Sequence, residues 1–218
     1  MGYSALANQN FTGGEQANNT AYGFFSGLNV TNGNKNTLIG ANAGDAINTG
    51  GYNTAVGAEA LSGEDGHGGN TAIGYRALYV QDGADNNVAV GRQAGYDISS
   101  GGLNTLIGAY SGSNLTLGQA NVALGYNALG TDIRGSNSTA IGYGALQNQS
   151  FSSAQTTNNT AVGYKAGRDI TSGIGNTFVG NSAGENGTDT DYNTAVGDRA
   201  LFTNTRACLL YTSDAADD

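Results

Sequence analysis

The sequence predicts an all-β fold, a parallel β-solenoid in which each coil takes about 17 residues. First, the motif Asn-Thr-x-aliphatic-Gly-x-x-Ala recurs at that spacing, as in repeat proteins that build one coil per repeat. Second, the β-branched part of each motif is short and lies between turn-forming residues, which is typical of a strand. Third, the aliphatic residues stay in register along the whole chain, which a disordered Gly-rich sequence has no reason to do.

The glycine of the motif, called here the ladder glycine, defines position 0 of each coil. Asn occupies position −4, Thr most often −3, Ala usually −2, an aliphatic residue −1, and Ala or Ser +3. A glycine that recurs in one column predicts a positive φ or an approach too close for a Cβ atom. After the eighth copy the spacing slips once by four residues. The ladder glycines, which are the predicted structural residues, are Gly23, Gly40, Gly57, Gly74, Gly91, Gly108, Gly125, Gly142, Gly163, Gly180 and Gly197.

Each coil is predicted to contain a strand from −4 to −1 and a second strand after the turn. Stacked Asn side chains at −4 are expected to form a hydrogen-bonded ladder. The second strand is expected to bury one apolar residue, either Leu at +4 or, in most of the coils where +4 is Gly, an aliphatic residue three positions later. A larger residue replaces Ala at −2 once in four coils, at Leu38, Leu106 and Phe178. The repeating unit is therefore a four-coil block, for which the sequence offers no physical reason.

The chain is predicted to be one repeat array, residues 1–206, followed by a disordered, non-native tail, residues 207–218. Residues 208–218 read CLLYTSDAADD, which looks like the translation of a sequencing adapter. Met1 lies in the aliphatic column, so we expect the array to be a fragment of a longer one, as in a metagenomic sequence. Three of the 17 acidic residues and none of the eight basic residues lie in residues 208–218, so the net charge without them changes from −9 to −6.

Composition excludes several classes of function. A base-poor chain lacks the clustered Lys and Arg that phosphate binding needs, so no nucleic-acid partner is expected. The sequence has no apolar run of about 18 residues, so this fragment is not expected to span a membrane. Its one cysteine lies in the tail, which leaves no thiolate metal site or disulfide in the array.

Residues with the spacing of an active site are not evident, and the chain is not expected to be an enzyme. A Ser-His-Asp triad and most zinc sites would require His67, the one histidine. Its Gly-rich turn is typical of a solvated side chain, and this turn neither follows a long strand nor opens a helix, as a dinucleotide loop would. The nonapeptide of calcium-binding rolls is also absent. We therefore predict no catalytic, cofactor-binding or metal-binding residue, and no cofactor.

Four tyrosines that directly follow a ladder glycine are the candidate surface contacts: Tyr75, Tyr126, Tyr143 and Tyr164. A row of exposed tyrosines can stack on sugars or anchor a protein partner. The alternative is that they shield the edge of the coil or pack between chains.

Both faces of the predicted strand carry apolar residues. Thr and the −1 aliphatic residue share one face, and Asn and the −2 residue share the other. One face can fill the inside of the coil, and the other then needs cover. The simplest cover is another copy of the same chain, related by symmetry.

The repeats at residues 70–77 and 159–166, Asn-Thr-Ala-Ile-Gly-Tyr-Arg-Ala and Asn-Thr-Ala-Val-Gly-Tyr-Lys-Ala, resemble two groups of fibrous proteins. These are the heads of YadA-like trimeric autotransporter adhesins and, more closely, the tail-fibre-like repeat proteins of phages and giant viruses. The resemblance covers residues 2 to about 201. It implies a left-handed β-roll, a homotrimer, and an attachment head or spacer outside the cell, on a bacterial surface or a virion. A host-surface glycan or protein is the implied receptor. The coil here is longer than in the adhesin heads.

The alternative from a different class is a monomeric solenoid with a ligand-binding face, such as an ice-binding protein. The Thr column at −3 would then form the binding array. Val88 and Val122 interrupt that column, and bulky aliphatic residues share its face.

Overall fold

The structure, a computed structural model, describes residues 2–10, 16–63, 65–203 and 211–213, the last three by their backbone alone. These residues form an all-β parallel solenoid with about 17 residues per coil, as predicted, and no helix. The strands are β1 (Thr20–Tyr22), β2 (Thr37–Ile39), β3 (Thr54–Val56), β4 (Thr71–Ile73), β5 (Val88–Val90), β6 (Thr105–Ile107), β7 (Val122–Leu124), β8 (Gly135–Ser136), β9 (Thr139–Ile141), β10 (Gln155–Thr156), β11 (Thr160–Val162), β12 (Thr177–Val179), β13 (Thr194–Val196) and β14 (Tyr211–Ser213).

One long parallel sheet contains twelve of these strands in chain order, without β8 and β10, which pair with each other. The register joins equivalent repeat positions: Thr37 of β2 lies opposite Thr54 of β3. At roughly 4.8 Å between strands, the sheet is about 50 Å long.

The last strand, β14, lies in the segment that the sequence analysis expects to be a disordered tail. Its backbone pairs in parallel with β13, with Thr194 opposite Tyr211. Residues 207–210 and 214–218 of the predicted tail, and Met1, lie outside the described residues.

The predicted second strand is wrong. The residues after each ladder glycine form turns, and two of them adopt a left-handed conformation, as Glu59 (φ 55°) and Leu61 (φ 54°) do in one coil. A positive φ is incompatible with an extended strand. The coils still bond to each other through this segment, because the Leu61 amide donates to the Ala77 carbonyl at 3.0 Å.

The ladder glycines meet both conditions that demand a residue without a Cβ atom. Their φ values lie between 129° and 148°, a region that side chains other than glycine avoid. The stacking is also too close: a Cβ atom on Gly40 would lie 2.4 Å from the carbonyl oxygen of Gly57, one coil further on.

The Asn column forms the predicted ladder, and the first strand therefore starts at −3 rather than −4. The side chain of Asn87, for example, accepts from the Asn104 amide at 2.9 Å and donates through Nδ2 to the Gly101 carbonyl at 2.9 Å. The Asn side chains from Asn36 to Asn193 are buried. Each one satisfies backbone groups that would otherwise be buried without a partner.

The ladder changes at Ser138, where the four-residue insertion enters. Gln149 donates through Nε2 to Ser138 Oγ at 3.0 Å and to Asp132 Oδ2 at 2.6 Å. Its Oε1 accepts from Asn159 Nδ2 at 2.8 Å, and Thr157 bonds to the Ser138 hydroxyl. All five side chains are buried. This network bridges the two ends of the ladder across the insertion.

The core has two kinds of coil that alternate in pairs, and this explains the four-coil block. In one kind, Leu106 at −2 lies between two glycines at +4. A Cβ atom on Gly95 would lie 2.9 Å from Leu106 Cδ1, and one on Gly112 would lie 2.9 Å from Leu106 Cδ2. The same holds for Leu38 between Gly27 and Gly44. Because one large residue occupies space in two coils, both coils need glycine at +4.

In the other kind of coil, position −2 is Ala and the space is filled by Leu at +4. Leu61, Leu78, Leu129 and Leu146 are fully buried, with φ between 47° and 54°. A left-handed Leu costs about 1–2 kcal/mol, and burying the side chain contributes about 1.5–3 kcal/mol, so burial offsets the strain. The residue at +7 changes together with the residue at +4. It is aliphatic in the glycine coils, as at Ile98, with Gly187 as the exception, and polar in the leucine coils, as at Gln81.

Candidate functional site

The outer face of the long sheet is a candidate interaction surface, called here the Thr/aliphatic face. In the long sheet, the middle residue of each strand from β2 to β13 points inward and is buried, together with the Asn that precedes the strand, or Ser138 before β9. The Thr and the −1 residue point outward, and the aliphatic side chains remain well exposed, as for Ile73 (38%), Ile107 (37%) and Leu124 (42%). Continuous apolar surface of this kind marks interaction sites on soluble proteins.

The four predicted contact tyrosines are all exposed, between 41% and 49% of their surface. The structure brings three of them together. Tyr143 stacks on Tyr126 and on Tyr164, with ring centroids 5.2 and 5.4 Å apart, and the stack continues across the insertion. Tyr75 lies apart from this stack, with the Arg76 guanidinium 5.1 Å from its ring centroid.

The ring faces in the stack are largely occupied. Tyr143 has a tyrosine on each side, and Tyr164 has Lys165 Nζ 5.0 Å from its centroid in addition to Tyr143. The rings of Tyr110 and Tyr126 meet edge to face, with centroids 5.8 Å apart. The stack therefore presents ring edges and hydroxyl groups to solvent. This geometry favours its role in shielding the coil edge over stacking on sugars.

Two open clefts lie outside the predicted site residues. The first, called here the Tyr52 cleft, has a volume of about 490 Å³ and is lined by Asn34, Thr49, Gly51, Tyr52, Gly68, Gly69, Asp85 and Asn86. The second, of about 420 Å³, is lined by Asp45, Ser62, Gly63, Tyr79, Val80 and Asp82. Burial raises the pKa of the Asp45 carboxyl above its ordinary value, with a smaller contribution from the charge of Glu59.

Sequence reasoning missed the Tyr52 cleft. The available signal was Gly69, one of two glycines in the column just before Asn, which follows another glycine, Gly68. A departure from the repeat is what a local binding site requires in a chain whose other columns build the stack.

No matching family model, curated protein or solved structure is found for the chain.

No group of three or more His, Cys, Asp or Glu side chains in the part of the chain that the structure describes is placed to hold a metal ion. The side chain of His67 is half-buried rather than fully solvated, and its carbonyl accepts from Asn53. Over the same residues, no helix has the length and apolar character to cross a membrane.

The Asp132 carboxyl group is fully buried, in the network at the insertion. Burial raises the pKa of Asp132 above its ordinary value, although the Gln149 amide and backbone amides bond to the charged form. The pKa of Asp169 shifts in the opposite direction, because a hydrogen bond from Arg168 lowers it. Arg168 also pairs with Glu185 at 2.8 Å, which links two neighbouring coils.

Proposed function

We propose that this chain is a segment of a homotrimeric surface fibre, an adhesin or a viral tail fibre, that serves as an attachment head or spacer. The observation that carries the proposal is the Thr/aliphatic face. Its exposed aliphatic column runs along the sheet, whereas the inner face is already filled by Ala, Leu and the Asn ladder. A second apolar face on a strand needs cover.

A copy of the same chain supplies that cover most simply. The column is continuous and almost free of charge from β1 to β13, so identical chains placed side by side can bury it along their whole length. Three chains around one axis is the arrangement that the resemblance of the repeats to fibre proteins supports. The same resemblance supports a location outside the cell, on a bacterial surface or a virion, with a host-surface glycan or protein as receptor.

Charge placed in the Thr/aliphatic face tests the proposal. Ile73→Lys combined with Ile107→Lys puts two ammonium groups into the proposed interface, where a desolvated charge without a partner is strongly unfavourable. We expect light scattering after size exclusion to show a folded monomer for this variant and a trimer for the unmodified chain. The matched control is Leu103→Lys, which changes a more exposed residue (62%) outside the face and should leave the trimer intact. A variant with both lysines that still has three times the chain mass would contradict the proposal.

The ice-binding alternative is favoured by one observation, namely that the Thr column shares this outward face. From Thr37 to Thr194 these residues are half-buried and regularly spaced along the sheet, with Val88 and Val122 as interruptions. Thermal hysteresis measured on a monomeric form of the chain would support this function. Its absence, with a trimer in solution, would support the fibre.

A further inference from the structure

The Tyr52 cleft differs from the rest of the surface in the residues that build it. Position −5, just before the Asn ladder, adopts a left-handed conformation in every coil, and nine of its eleven occupants from Asn18 to Tyr192 carry a side chain. The exceptions are Gly69 and Gly175. At Gly175 the space is filled, because a Cβ atom there would lie 2.6 Å from the Tyr192 ring. Gly69 is exposed, and the nearest neighbour of a Cβ atom there is the end of the exposed Asn86 side chain, at 2.6 Å, so a flexible polar side chain rather than a ring borders this gap on the side of the following coil.

One wall of the gap is an aromatic ring. Tyr52 is 63% exposed. Lys35 covers one side of it, with Nζ 4.7 Å from the ring centroid and 2.9 Å from the hydroxyl oxygen. On the side of the next coil the corresponding residue is Gly69, which has no side chain to cover the ring. The lysine thus holds the ring in place while its other side faces the cleft.

The opposite wall is polar and rich in acceptors. Asp85 and Asn86 are exposed. Asp85 uses one carboxylate oxygen, Oδ1, to accept from the Gly68 amide at 2.7 Å. Asn86 Oδ1 lies over Gly69, 2.6 Å from where a Cβ atom would be. Asn34 also lines the cleft, but its Oδ1 is buried, so the exposed acceptors are those of Asp85 and Asn86.

We propose that the Tyr52 cleft binds a neutral saccharide unit. An aromatic ring with a free side matches the apolar face of a pyranose, and the exposed oxygen acceptors of Asp85 and Asn86 match its hydroxyl donors. The cleft volume of about 490 Å³ lies within the range of small-molecule sites. The one charged side chain in the lining is Asp85, which disfavours anionic ligands such as sialic acids or nucleotides. The proposal rests on the attachment function and specifies the class of receptor.

The test uses saturation-transfer NMR on the full chain with galactose, glucose and N-acetylglucosamine as probes, and N-acetylneuraminic acid as the anionic comparison. We expect at least one neutral sugar to give a signal, with a Kd of about 1 mM for such an open site. Tyr52→Ala should weaken this binding by about tenfold, the value of one aromatic contact. The matched control is Tyr192→Ala, which removes an exposed tyrosine from the same coil position elsewhere and should change nothing.

Gly69→Asn blocks the cleft with a side chain that tolerates the left-handed backbone at this position. Asn occupies the same left-handed position at Asn86, Asn137 and Asn158, and the close neighbour of the added Cβ atom is the end of the flexible Asn86 side chain. The variant should therefore fold, with an unchanged circular dichroism spectrum, and lose the signal. The proposal is overturned if no neutral sugar binds, if the anionic sugar alone binds, or if both variants bind as the unmodified chain does. The solution mass of the same samples separates this result from the trimer: a trimer without sugar binding refutes the cleft alone.

Discussion

The pairing of core residues across coils makes a quantitative prediction for Leu106 and Gly112. Leu106→Ala removes a fully buried side chain that fills space in two coils. Comparable truncations cost about 3–5 kcal/mol of the free energy of unfolding. Gly112→Ala alone is also unfavourable. Its added methyl group would lie 2.9 and 3.1 Å from the two Leu106 methyl carbons, which costs about 1–3 kcal/mol by overpacking. The left-handed φ of 54° adds about 1–2 kcal/mol.

The double variant should be more stable than the sum of these effects implies. All three atoms nearest to the added methyl group belong to Leu106 beyond Cβ, so Leu106→Ala removes the clash. In that background Gly112→Ala should cost only the backbone strain. We therefore expect a favourable coupling of about 1–3 kcal/mol, measured from guanidinium unfolding curves of the four chains followed by circular dichroism.

A matched control separates the clash from the backbone strain. Gly144 also has a left-handed φ, 62°, but the atom nearest to an added Cβ is the flexible end of Gln147, at 3.0 Å. Gly144→Ala should combine with Leu106→Ala additively. Equal coupling for both glycines, or additivity for Gly112, would refute the explanation of the four-coil block.

Three further predictions concern the ladders and the buried acid. Gly91→Ala, with φ 137° and a Cβ atom that would lie 2.6 Å from the Gly108 carbonyl, should destabilise the chain by more than about 2 kcal/mol; a smaller loss in thermal unfolding would contradict the close stacking. Asn104→Ala leaves the Asn121 amide and the Gly118 carbonyl without their partners and should cost about 2–5 kcal/mol in urea unfolding, whereas a loss below about 1 kcal/mol would show that water replaces the ladder. Burial raises the pKa of Asp132 in the folded chain. The protonated carboxyl therefore stabilises the fold fully below the unfolded pKa of about 3.9, and this stabilisation is lost as the pH rises through the folded pKa. The stability of the unmodified chain relative to Asp132→Asn should thus increase from pH 7 to pH 4, and a pH-independent difference in urea midpoints would contradict this.

Much of the fold could be predicted because the repeat forces equivalent residues into equivalent environments. The Asn column indicated a side-chain ladder, and the structure forms one, for example between Asn87 and Asn104. The second strand was predicted wrongly, because Leu61 in an aliphatic column looks extended. Its φ is in fact positive. Leucine disfavours this conformation, and burial of the side chain offsets the strain.

The four-coil block and the Tyr52 cleft depend on contacts between coils. Leu38 packs over Gly27, eleven residues away in the preceding coil, and nothing in a single repeat shows that the two positions share one space. The cleft likewise arises because Gly69 follows Tyr52 after one full coil. The four contact tyrosines were identified by column, but their mutual stacking depends on ring orientation, which the sequence does not determine.

The absolute mass of the full chain in solution tests the central claim most directly, because the Thr/aliphatic face either is covered by other copies or is not. Light scattering after size exclusion, over a range of protein concentrations, should give three times the chain mass. A folded monomer at every concentration would contradict the homotrimeric fibre.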